Sequence, residues 1–110
     1  MASIRIEDAT VSVEDSTQAD REGRPVFEWT VSLDSGESWS ATDLKGPACG
    51  AEPSEEEMLA TLLVFLGAAI EAREYGGENE DLFPAELLDW AAQYSDEIAM
   101  LAFEMEEAQG

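Results

Sequence analysis

The sequence predicts an α+β fold: a small antiparallel β-sheet of about three or four strands in the N-terminal half, followed by two long packed α-helices. Three observations carry this. Phe27, Trp29, Val31 and Leu33 alternate with Glu28, Thr30 and Ser32, the period-2 mark of a half-buried strand. Met58–Ile70 is apolar almost all round behind a helix start at Ser54. Leu87, Trp90 or Ala91, Tyr94, Ile98, Leu101 and Met105 recur at three- and four-residue steps, which describes one buried helical stripe.

At the N-terminus, Ile4 and Ile6 alternate with polar neighbours, and Val11 and Val13 alternate on the opposite parity. A strand cannot change parity without an irregularity, so a bulge or two short strands are expected, with the change inside Glu7–Thr10. The polar stretch 16–24 reads as a loop. Asp34-Ser35-Gly36-Glu37 reads as a turn, and Ser38–Thr42 resumes an extended pattern with Trp39 and Ala41 on one side, so 25–42 reads as an antiparallel hairpin.

Residues 45–53 are rich in Gly and Pro and separate the two halves. One domain over 1–110 is expected, with a β half at 1–45, a linker at 46–53 and a helical half at 54–110. Ser54 with Glu57 three residues on is a capping box. Glu55, Glu56 and Glu57 occupy the first turn, where the helix dipole favours anions, and Gly76-Gly77 is the expected stop. A helix this apolar needs cover on more than one side; burial within the monomer is expected over a homodimer seam. The last helix is expected to start near Phe83-Pro84, with Pro suited to the first turn, and to run towards Ala108.

The charge is the outlying property. The chain holds 26 Asp plus Glu against 5 Lys plus Arg, a formal net charge of −21. Residues 51–110 alone hold 16 acids and one base, Arg73. Such a field repels nucleic acid and anionic membranes and attracts basic partners. With a 45% hydrophobic fraction, the chain has the material for a core and is expected to fold. Met58–Ile70 is shorter than the roughly 20 apolar residues of a membrane span, and Met1–Ile6 lacks the build of a signal peptide. A soluble, cytoplasmic protein is expected. The single cysteine, Cys49, excludes a disulfide within the chain and reads as a loop thiol.

Catalytic chemistry finds little support. There is no histidine, which removes the commonest general base and the Ser-His and Cys-His arrangements. Asp34-Ser35-Gly36 is therefore a turn and not a nucleophile loop. No phosphate-cradling glycine pattern occurs. Glu78-Asn79-Glu80-Asp81 is oxygen-rich but lacks EF-hand spacing and reads as a solvated interhelical turn. The expectation is a non-enzyme with no cofactor and no metal.

The acids invite a reading as a group. A net charge of magnitude about 2–8 is ample for the solubility of a small domain. Glu104, Glu106 and Glu107 crowd the end of the last helix, where the dipole disfavours anions by about 0.3–1 kcal/mol each. Lysines that would pair with the acids at i,i+4 are absent from both helices. Carboxylates every three or four residues along a helix lie roughly 5 Å apart along the axis, near the phosphate spacing of a nucleic-acid strand. In bulk character (short, acidic, one domain) the chain resembles phage-encoded DNA-mimic inhibitors, including anti-CRISPR and anti-restriction proteins. That resemblance is carried by composition and brings no motif with it. It implies an inhibitor that blocks the basic nucleic-acid-binding surface of a target protein or nuclease complex, without touching nucleic acid or membrane itself.

Two other readings share the composition: a halophilic-type acidic domain of structural or interaction role, and an immunity- or antitoxin-like protein that neutralises a basic toxin. The expected partner-binding surface is the polar face of the last helix, with Glu86, Asp89, Asp96, Glu97, Glu104 and Glu107. It also takes in the interhelical acids Glu78, Glu80 and Asp81 and the first-turn acids Glu55 and Glu56. Reversal of Glu86, Asp89, Asp96 and Glu97 to Lys is expected to abolish binding and leave the fold intact.

Overall fold

A computed structural model describes residues 1–45, 53–75 and 83–109. Four strands come first, β1 (Ala2–Ile6), β2 (Ala9–Ala19), β3 (Pro25–Leu33) and β4 (Ser38–Lys45), and three helices follow, α1 (Glu55–Tyr75), α2 (Ala85–Gln93) and α3 (Ser95–Gln109). The architecture is α+β. The chain divides into two compact units, Met1–Leu59 and Ala60–Gly110. The boundary between them falls inside α1.

In the first unit the strands form an antiparallel meander in the order β1-β2-β3-β4. The parity change near the N-terminus is a hairpin and not a bulge. Glu7 and Asp8 make the connection, Glu7 takes a positive φ of 52°, and Ile6 pairs with Ala9 while Ile4 pairs with Val11. An even-numbered residue on β1 thus faces an odd-numbered one on β2, so both alternations point the same way. Rows such as Ile4, Val11, Val31, Trp39 and Ala2, Val13, Trp29, Ala41 cross the sheet on one face. Val11, Val13, Trp29 and Val31 are buried there. On the other face the rows are hydroxylic, with Ser3, Ser12, Thr30 and Ser40 in one register, as expected of a sheet side turned to water.

Two irregularities correct the expected strand limits. Residues 16–19 are not loop but the end of β2, and the register shifts between Asp15 and Gln18. Thr17 sits there at φ 62°. Ser16 donates its hydroxyl to the Val26 carbonyl at 2.6 Å, and Thr17 N–H donates to Asp15 Oδ1 at 2.8 Å. The stretch is polar because it is exposed, and polarity alone does not separate an exposed ribbon from a loop. On the other side of β3 the pairing passes from Trp29–Ala41 to Phe27–Leu44. The extra residue on β4 turns Leu44 to the buried side, at 4% exposure, although Trp39 and Ala41 are odd-numbered. Asp43, at that bulge, accepts a hydrogen bond from Trp29 Nε1 at 2.9 Å.

Helix α1 begins as its capping signal requires. Glu57 N–H donates to Ser54 Oγ at 3.1 Å and Met58 N–H to the Ser54 carbonyl at 3.1 Å. The helix runs through Tyr75, and the expected Gly76-Gly77 stop lies outside the described residues. Met58, Leu62, Leu63, Leu66 and Ala69 are buried, whereas Val64 and Phe65 are 39% and 42% exposed. The all-round apolar run is therefore not buried all round.

The expected single last helix is two helices, so the helices number three among the described residues. Tyr94 breaks it, with φ −122° and ψ 26°. Its N–H donates to the Ala91 carbonyl at 3.0 Å and its carbonyl accepts from Ile98 N–H at 2.9 Å. One residue closes α2 and opens α3. Ser95 and Asp96 follow, residue types that favour helix starts over helix interiors. The apolar repeat continues across this residue: Leu87, Trp90, Ala91 and Ile98 are buried, and Tyr94, Leu101 and Met105 of the expected stripe are half-buried. Trp90 and Tyr94 hold the junction with ring centroids 5.5 Å apart and planes tilted by 56°. Pro84 stands one position before α2, and Leu88 N–H donates to its carbonyl at 3.1 Å.

Candidate functional site

The acids of α2 and α3 are placed by the apolar stripe that shares their helices. Burial of Leu87, Leu88 and Ala91 leaves Glu86 and Asp89 exposed on α2. Burial of Ile98 and Ala102 leaves Asp96, Glu104 and Glu107 exposed on α3, with Glu97 half-buried at the edge. The break at Tyr94 divides the expected straight ridge into two segments. Glu86 and Asp89 form the first; Asp96, Glu104 and Glu107 form the second, at one-turn or two-turn intervals in a 3.6-residue helix.

The surroundings of these acids differ. Asp89 is paired with Arg73 of α1 at 2.5 Å, and Arg73 also donates to the Ala85 carbonyl at 3.2 Å. The one base of the C-terminal half is thus engaged. Among the described residues, no hydrogen bond or ion pair joins the side chains of Asp96, Glu104 and Glu107 to another group of the chain, and all three are exposed.

Of the first-turn acids on α1, Glu56 is exposed. Glu55 is half-buried and occupied: Asp15 N–H donates to its Oε2 at 3.2 Å, and the Met1 amine lies 3.2 Å from its Oε1. Glu55 ties the start of α1 to β2, a structural task. Glu78, Glu80 and Asp81 lie outside the described residues, as does Cys49.

Two of the four bases of the β half are also committed. Arg5 pairs with Asp34, whose hydrogen bond and charge hold the guanidinium above its ordinary pKa. Arg24 pairs with Asp20 and Glu22, both at 2.9 Å. Asp20 accepts from the N–H groups of Arg24 and Glu22 and from Arg24 Nε, each at 2.9 Å. These bonds, led by that from the Arg24 backbone, lower its pKa despite an opposing desolvation. This cluster builds a turn.

Two apolar side chains stand on the acidic face, and neither was expected to take part in binding. Met100 and Phe103 are 63% and 62% exposed on α3, on the same side as Asp96, Glu104 and Glu107. Met100 is visible in the sequence as an interruption of the acidic row. Phe103 has no comparable signal, because an aromatic three residues from other apolar positions reads as core.

Among the described residues there is no group of three or more Cys, Asp or Glu positioned to hold a metal ion. None of the described helices is long and apolar enough to cross a membrane. No protein-family model, no curated protein and no solved structure matches the chain.

Proposed function

We propose that this α+β chain is a non-enzymatic acidic binding protein. It would occupy the basic nucleic-acid-binding surface of a target protein or nuclease complex, in the manner of phage DNA-mimic inhibitors. The observation that carries the reading is the set of solvent-facing carboxylates Asp96, Glu104 and Glu107 on α3, unpaired within the described chain, in a molecule of net charge −21. A surface evolved only to stay dissolved would gain from i,i+4 lysines on the same helix, and α3 has none. Glu86 extends the surface onto α2, and Asp89 contributes a charge already paired with Arg73.

The test is capture of basic proteins on the immobilised chain, followed by competition. Expected is binding at low salt, release as salt rises because the attraction is screened, and displacement by duplex DNA. The charge-reversal variant should carry Glu86→Lys, Asp96→Lys, Glu104→Lys and Glu107→Lys and keep Asp89, since Asp89→Lys would set two cations against each other at Arg73. A partner that binds the chain and nucleic acid together, unhindered, rules the reading out.

A further inference from the structure

Met100 and Phe103 are one helical step of three residues apart, and both lie largely in water. Asp96, Glu104 and Glu107 share their face of α3. Large apolar side chains at the centre of a charged rim are the arrangement that supplies most of the affinity in protein interfaces, because the rim excludes water from the anchors. Phosphate mimicry by itself has no use for them.

We propose that this face of α3 docks a cationic amphipathic segment of a partner protein. Met100 and Phe103 are the apolar anchors, and Asp96, Glu104 and Glu107 pair with Lys or Arg on the flanks of the segment. The inference rests on the binding function above and adds the chemistry of its partner. Charge selects the occupant. A second copy would bring the same carboxylates face to face in a molecule already at −21, and like charges at an interface oppose association. An anionic lipid surface or a nucleic acid is repelled for the same reason. A segment with cations around an apolar stripe satisfies both features at once, and the pliable Met100 side chain adapts to its shape.

The test uses the intact protein and two synthetic peptides of equal positive charge. One carries Lys with Leu at helical spacing; the other has Ser in place of each Leu. Expected is roughly tenfold or more tighter binding of the Lys/Leu peptide, the gain from burying about one apolar side chain. Met100→Ser with Phe103→Ser should erase that difference and keep the salt-sensitive binding common to both peptides. Tyr75→Ser, which removes an aromatic that is 84% exposed on α1, should leave the difference in place. Both altered α3 positions are exposed, so retention of the fold is checked by circular dichroism.

Equal binding of the two peptides, or a difference that survives the double substitution, overturns the anchors and leaves the electrostatic function standing. Failure of both peptides to bind at low salt overturns both. A dimer in light scattering that the double substitution converts to monomer makes a second copy the occupant and also overturns the proposal.

Discussion

Arg73 of α1 and Asp89 of α2 lie 2.5 Å apart, and the same guanidinium holds the Ala85 carbonyl at the start of α2. The one base of the C-terminal half is therefore a clasp between two helices. Its side chain is 41% exposed and that of Asp89 64%, so the ion pair by itself is worth at most about 1 kcal/mol. Arg73→Gln should lower stability in urea unfolding by about 1 kcal/mol and strengthen capture of a polycation, because Asp89 is released. Unchanged polycation binding would show that the surface charge of α2 takes no part.

Ser54 holds the first turn of α1 through the Glu57 N–H. Ser54→Ala should cost about 1 kcal/mol in thermal or urea unfolding, and Ser54→Asp should preserve the cap. An unchanged midpoint for Ser54→Ala would show that the helix start is held from elsewhere.

Asp20 has a folded-state pKa below its ordinary value, first through the Arg24 backbone hydrogen bond. The sign follows from linkage: the contribution is present above the unfolded-state pKa near 3.9 and is lost as pH falls through the lowered folded value. Asp20→Asn should therefore flatten the acid limb of the stability curve below about pH 4 and narrow its gap from the parent there. The check is the unfolding midpoint measured across that limb. A constant gap between variant and parent at all pH values would contradict the assignment.

Salt separates the proposed binder from a halophilic domain. Self-repulsion at −21 is already substantially screened at about 0.1 M, where the Debye length is about 10 Å. The chain should be folded there by circular dichroism and gain only modestly in midpoint towards molar salt, while its capture of basic proteins weakens. A chain that unfolds at 0.1 M and folds only in molar salt is a halophilic one.

The elements legible in advance were those with a strong period or a strong terminal signal. Phe27, Trp29 and Val31 announced β3 because a pleated strand half in water must alternate. Ser54 and Glu57 announced the start of α1 because its first N–H groups need acceptors. The parity change placed an irregularity inside Glu7–Thr10 but left a bulge and a pair of strands both open, and the ribbon at Ser16–Ala19 and the bulge that turns Leu44 inward were not legible. Each depends on which strand lies alongside, a matter of pairing across the sheet and not of local pattern.

The candidate surface divides in the same way. The sequence by itself determined the net charge, the absence of histidine, the concentration of acids in the C-terminal half and the apolar stripe that turns Glu86, Asp96, Glu104 and Glu107 outward, since composition and helical period need no partner. Only the tertiary structure decided that Tyr94 splits the acidic row, that Arg73 claims Asp89, that Asp15 claims Glu55, and that Phe103 stands in water among carboxylates. Those outcomes hinge on what each side chain meets after the chain has folded, and a one-dimensional period carries no information about that.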